Sequence, residues 1–311
     1  MAERIEHVMG MPVRVDVRGP DVALGGVFEW LRFVDATFST FRPDSEISRL
    51  GSGALARADA QPLVREVLDR CDELHRLTDG AFDIHAPLPG ALDPSGLVKG
   101  WAVERAAWLL EAAGARHFLI DAGGDVVLRG GPWRVGIRHP HRRDRLAAVL
   151  AMRDCAVATS GAYERGPHIV DPRSGEPATG ALSVTIVGPD LGTADAYATA
   201  AFAMGERGPA WTASLREHDA MTILPGDRVL STPGLERHRA DPDRARAAQY
   251  AKRSITIRRS GTPQRARLAR VASVIAGGPQ TYTSRVAMSG TSRWRCSGES
   301  SAASSRWSPT T

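Results

Sequence analysis

Near the start of the chain, apolar and charged residues alternate. Val13, Val15 and Val17 are separated by Arg14 and Asp16, the period-two pattern of a strand with one buried face. The period then lengthens. Val27, Phe28, Leu31, Val34 and Phe38 recur at three- and four-residue steps behind a Gly19-Pro20-Asp21 turn, which predicts an amphipathic helix. A second helix opens at Pro62, carries an apolar stripe of Leu63, Val67, Leu68, Cys71, Leu74 and Leu77, and ends at Thr78-Asp79-Gly80. A third is expected from Gly100 to Ala113, with Trp101, Ala102, Ala106, Leu109 and Leu110 inward and Gly114 as its stop.

Beyond it the pattern shortens to strands. HFLIDA, VVL and WRVGI are separated by Gly123-Gly124 and Gly130-Gly131, and LAAVLAM, CAVAT, HIV and ALSVTIV continue the series. A helix from Ala194 to Met204, capped by Thr193 and closed by Gly205, precedes a hairpin of DAMTIL and RVLS across Pro225-Gly226-Asp227. Strands and helices do not strictly alternate, so the expected class is α+β, mixed sheets with packed helices, rather than a doubly wound sheet. Periodicity fades after about Pro233. The division expected is a folded body over residues 1–240 and a basic Arg/Ser-rich tail over 241–311 that is disordered.

The net charge of +5 invites a nucleic-acid or membrane reading, but 13 of the 40 Lys and Arg and only 3 of the 35 Asp and Glu follow residue 240. Residues 1–240 therefore hold 27 basic against 32 acidic residues, about −5, and no specific nucleic acid is expected as a partner. Cys71, Cys155 and Cys296 are far apart and lack zinc or disulfide spacing, which fits a reducing, cytoplasmic setting. No segment reaches the roughly 20 apolar residues of a membrane span, and MAERIEHVMG has no signal-like apolar core. Only two lysines occur, Lys99 and Lys252, so a lysine in this arginine-rich body draws attention to position 99.

Four stretches concentrate polar chemistry. Thr78 to Asp83 can be a helix stop with a solvated acid or part of a ligand loop. Asp93-Pro94-Ser95-Gly96-Leu97-Val98-Lys99-Gly100 leads towards a helix, where free amides and a lysine suit a phosphate or simply start the helix; it lacks Walker spacing. His168, near Asp171 and Arg173, can be a structural histidine or a base. Asp195 and Thr199 share a helix face at i and i+4 and present two hard oxygens suited to Mg²⁺ or Ca²⁺, although a first-turn Asp is also favoured by the helix dipole alone.

In order and spacing, these stretches resemble the flavin transferase (ApbE) family over about residues 5–235, together with Met9-Gly10, Phe38 to Ser48, Asp121-Ala122-Gly123-Gly124-Asp125 and Thr159-Ser160-Gly161. The resemblance implies a T-fold-like catalytic unit that uses Mg²⁺ to move FMN from FAD to a Thr or Ser hydroxyl of an acceptor protein, releasing AMP. It implies metal ligation by the side chains of Asp195 and Thr199 and the carbonyls of Gly96 and Ala198. Met9, Phe41, Ala81, Phe82, Asp83, Asp93, Lys99 and Ile169 would contact FAD, and His168 would be the general base. The sequence departs from the family pattern at Met11, Gly51 and Ser174, none of them an implied metal ligand. The alternatives are an FAD pyrophosphatase giving FMN and AMP, and a non-catalytic FAD-binding protein.

Overall fold

The computed structural model describes residues 2–19, 22–86, 92–142, 144–162, 166 and 168–240. The Pro20-Asp21 turn, Tyr163-Glu164-Arg165 and the tail from 241 onward lie outside the described residues. In chain order the strands are β1 (Ala2–Val8), β2 (Met11–Val17), β3 (Phe118–Ala122), β4 (Asp125–Arg129), β5 (Trp133–Arg138), β6 (Leu146–Met152), β7 (Cys155–Gly161), β8 (Ser183–Gly188), β9 (Asp219–Leu224) and β10 (Arg228–Ser231). The helices are α1 (Gly25–Phe38), α2 (Glu46–Gly51), α3 (Pro62–Leu77), α4 (Ser95–Ala112), α5 (Leu191–Ala203), α6 (Gly208–Ala213) and α7 (Pro233–Glu236).

Eight strands form one sheet in the order β1-β2-β3-β4-β7-β8-β9-β10, antiparallel at every pairing, and β5 and β6 form a separate hairpin. The α+β class expected from the sequence is borne out. Strand alternation sends side chains to two cores. Val127 of β4 joins the helices' residues Phe28, Leu31, Leu74 and Leu110 in one, while its neighbours Val126 and Leu128 join Trp133, Leu150 and Leu235 in the other. Helices thus cover one face of the sheet, and the β5–β6 hairpin with α7 covers part of the opposite face.

Several elements differ from expectation, each for a local reason. β1 was not anticipated, because AERIEHV is an edge strand with most side chains in solvent and so carries no clean alternation. α4 begins at Ser95, not at Gly100, with Asp93 Oδ1 accepting the Ser95 amide at 2.9 Å. Gly96 and Gly100 both lie inside the helix. At Gly100 a Cβ would overlap the Leu191 carbonyl, so glycine there permits α4 and α5 to approach closely. α5 starts at Leu191, capped by Asp190 Oδ1 accepting the Thr193 amide at 2.8 Å; Thr193 is no cap, and its hydroxyl instead accepts from Arg70 at 2.8 Å. HIV contributes only an isolated bridge, Val170 to Pro177. In α3 the stripe is shifted: Val64 is buried, and Leu77 is 51% exposed. Order continues past Pro233, through α7 to Ala240, whose amide bonds the Val149 carbonyl at 2.8 Å.

A buried ion-pair cluster joins the elements that carry the site. Glu104 of α4 pairs with Arg129 of β4, while its other oxygen accepts the Leu191 amide at the start of α5 at 2.9 Å. Arg129 Nε also reaches Glu111 Oε1 at 2.6 Å. Burial raises the Glu104 carboxyl, and Arg129 opposes that shift.

Candidate functional site

The close approach of α4 and α5 sets Lys99 opposite Asp195. Lys99 Nζ forms an ion pair with Asp125 Oδ2 at the start of β4 and stands 3.4 Å from Asp195 Oδ1. Asp125 is held in turn by β7, since its Oδ1 accepts the Thr159 amide at 2.8 Å. The next residue of β7, Ser160, has its hydroxyl 3.3 Å from that of Thr199, one turn beyond Asp195 on α5. Gly96, in the first turn of α4, faces the same place: a Cβ there would sit 3.1 Å from the Phe82 ring and 3.5 Å from Thr199 Oγ1. The fold thus gathers Phe82, Gly96, Lys99, Asp195 and Thr199, and adds Asp125 and Ser160.

Two carboxylates and one ammonium leave this cluster with a net charge of −1 when all are ionised. Asp125 and Asp195 are each 2% exposed. Burial pushes the Asp195 carboxyl up from 3.8 to about 7; Lys99 opposes the shift and the neighbouring Asp125 adds to it. Asp195 Oδ2 is buried with no hydrogen-bond partner, a costly arrangement for a carboxylate unless a cation completes it. That unsatisfied oxygen and the Thr199 hydroxyl are hard oxygen donors and fit an oxygen-seeking ion such as Mg²⁺. Among the described residues no three His, Cys, Asp or Glu side chains form a metal cage. One carboxylate and one hydroxyl suit an ion that also takes backbone carbonyls and ligand phosphates. Ala198 is fully buried on the same helix as Asp195 and Thr199.

The other expected residues lie on other segments. Ala81 and Phe82 are buried in the turn after α3, where Thr78 Oγ1 accepts the Phe82 amide at 2.9 Å and His75 Nδ1 lies 3.1 Å from the Phe82 carbonyl. Thr78-Asp79-Gly80 is a helix stop, with Asp79 and Gly80 at positive φ, but it also fixes this turn. Asp83 is half-buried and caps the His85 amide at 2.8 Å. The amide of Asp93 donates to the Ile84 carbonyl at 2.8 Å, tying the start of α4 to the same turn. Met9 is half-buried at positive φ in the β1–β2 turn, and Phe41 is 95% exposed between α1 and α2.

Ile169 is 9% exposed and opens a short hairpin in which its carbonyl accepts the Ala178 amide at 2.8 Å. Arg173 in that hairpin bonds Asp79 Oδ2 at 2.8 Å, joining it to the turn after α3. His168 is exposed, and its Nδ1 lies 2.9 Å from the Gly166 carbonyl. A carbonyl can only accept, so this contact places the ring proton on Nδ1 and leaves the Nε2 lone pair available.

Sequence reasoning gave no separate role to Asp125 or Ser160. Both lie in motifs noticed for their composition, but their partners are set by the β4–β7 ladder and by helices remote in sequence, so no local spacing could assign them.

Comparison with known proteins agrees with this architecture. The ApbE family profile matches residues 9–88 and 87–222. An FAD:protein FMN transferase of Treponema pallidum is 34% identical over 203 residues, covering 55% of this chain and 56% of that protein. One from Rhodobacter capsulatus is 30% identical over 228 residues, covering 68% of this chain and 40% of that protein. The chain spans about half the length of these curated relatives. Among solved structures, the flavin transferase ApbE of Vibrio cholerae superposes with a TM-score of 0.68 at 24% identity, over 76% of this chain and 98% of that one. The ApbE protein of Thermotoga maritima gives 0.70 at 22% identity, over 77% and 99%. At those identities the structures speak for the fold, whereas the profile spans most of the described body, and the chain belongs to the ApbE family.

Proposed function

We propose that residues 1–240 form an FAD:protein FMN transferase that uses Mg²⁺ to move FMN from FAD to a Thr or Ser hydroxyl of an acceptor protein. The observation that carries this reading is the buried Asp195 carboxylate, with one oxygen unsatisfied, one helical turn from Thr199 and opposite Lys99. The names of the curated relatives support the flavin chemistry.

In the reaction, the acceptor hydroxyl oxygen bonds to the phosphorus of the FMN phosphate, the pyrophosphate P–O bond breaks, and AMP leaves. Asp195, Thr199 and the carbonyls of Gly96 and Ala198 would hold Mg²⁺, which supplies neutralisation of the charge that grows on the pyrophosphate oxygens. Lys99 adds a second positive charge from α4. His168 takes the hydroxyl proton at Nε2, while the Gly166 carbonyl keeps the ring proton at Nδ1. Met9, Phe41, the Ala81-Phe82-Asp83 turn, Asp93 and Ile169 would bind and orient the flavin nucleotide. Cys71 and Cys155 are both buried and form no disulfide, which fits the proposed cytoplasmic setting. Among the described residues no helix is long and apolar enough to cross a membrane.

Incubation with FAD, Mg²⁺ and a threonine-bearing acceptor should yield an acceptor band that fluoresces in a denaturing gel, with AMP released in equal amount. Formation of FMN and AMP at the same rate without acceptor, and no labelled band with it, would replace this reading with a pyrophosphatase.

A further inference from the structure

Lys99 stands between two buried carboxylates but does not treat them alike. It is in close ion pairing with Asp125 and 3.4 Å from Asp195. Oδ2 of each carboxylate accepts no hydrogen bond, but Asp125 is anchored to the sheet through the Thr159 amide and its Oδ2 meets the Lys99 ammonium, whereas Lys99 faces Asp195 at Oδ1 and leaves Oδ2 open. We propose that Asp125 is a positioning residue that holds the Lys99 ammonium on the β4 side of the site and so leaves Asp195 open to a divalent cation. The proposal rests on the metal reading given above.

The argument is one of competition between cations. Lys99 projects from α4 on a flexible four-carbon stem, and its partly buried ammonium settles on whichever carboxylate is nearest and best fixed. Asp125 is fixed twice over, by its place in β4 and by the β7 amide. Without its charge the ammonium is drawn onto Asp195, where it occupies the side of the carboxylate that a metal ion needs. Asp125 therefore raises cation affinity through Lys99, without being a ligand itself. Loss of an outer partner of this kind typically lowers metal affinity roughly 10- to 100-fold.

A double-mutant cycle separates this from a plain charge effect. Mn²⁺ binding to the full chain, without nucleotide, is followed by the loss of the free-ion paramagnetic resonance signal in wild type, Asp125→Asn, Lys99→Met and the double variant. Asp125→Asn retains an acceptor for the Thr159 amide. It should weaken Mn²⁺ binding by about tenfold or more in the wild-type background, yet by less than about twofold when Lys99 is already Met. An equal loss in both backgrounds would mean that Asp125 acts on the ion directly, and no loss in either would leave it without a role; each overturns the proposal. Asp195→Ala serves as the separate control. If that variant binds Mn²⁺ as wild type does, or wild type binds none, it is the metal reading that fails. Should Asp125→Asn not fold, Asp125→Ser takes its place in the same cycle.

Discussion

A carboxylate as deeply buried as Asp195 stays charged only with help, and the help in this fold is incomplete. Burial raises its pKa to about 7, Lys99 opposes the rise, and Asp125 contributes to it. In the metal-free protein the folded state therefore binds a proton that the unfolded chain, at about 3.8, has already released. Stability from this group is full below pH 4 and is lost as pH rises towards and through 7. Metal-free protein is thus expected to melt at lower temperature at pH 8 than at pH 6, with Asp195→Asn flattening that difference. Mg²⁺ binds the deprotonated form, so its stabilising effect should be larger at pH 8; thermal melts at both pH values, with and without Mg²⁺, test both statements. His168 makes a separate prediction. As a base it should cost roughly 10²- to 10⁴-fold in kcat when changed to Ala, and a loss under about tenfold would return it to a structural role. The Asp195–Thr199 pair was legible in the sequence because i and i+4 fall on one helix face. Asp125 was not, since nothing near it in the chain indicates Lys99 or Thr159 as its neighbours.

At the scale of elements, the site depends on how α4 and α5 are held against the sheet. Gly100 brings the helices together, and Glu104 fixes their relation by pairing with Arg129 of β4 while accepting the first amide of α5. Glu104→Ala leaves Arg129 without its most buried partner and the Leu191 amide without an acceptor. Removing one member of a buried ion pair typically costs about 3–5 kcal/mol. Urea denaturation should show a loss of that order, and a change under about 1 kcal/mol would mean that Glu111 and solvent compensate fully. The same seam shows where sequence reading succeeds and where it stops. α1 and α3 were recognised from their apolar stripes, because each packs one face on the core. α4 begins about a turn and a half before the expected Gly100, which lies inside the helix and serves its contact with α5. β1 left no signal, because an edge strand needs a partner for its backbone more than a buried face for its side chains.

For the whole molecule, the second core reaches almost to the end of the described residues. Periodicity faded at Pro233, yet Leu235 of α7 is fully buried with Trp133, Leu150 and Ile223. Beyond α7, the His238 carbonyl accepts the Ala151 amide and the Ala240 amide donates to Val149, both at 2.8 Å, so residues 238–240 lie along β6. A four-residue helix is too short to show a stripe, which is why the place of α7 in the core is not legible in the pattern. We expect a chain ending at Ala240 to keep the melting temperature and FMN-transfer rate of the full chain, because every described residue of both cores precedes that point. A chain ending at Thr232 should behave differently. It loses Leu235 from the second core, at a cost comparable to about 2–5 kcal/mol for emptying a buried leucine site, and it loses the pairing along β6 as well. For a body of this size each kcal/mol lowers the melting temperature by about 2–4 °C, so the shorter chain should melt several degrees lower or fail to accumulate as folded protein. Equal melting temperatures for the two truncations would mean that α7 adds nothing to the core it enters. A loss of folding on removal of 241–311 alone would show that the tail belongs to the body.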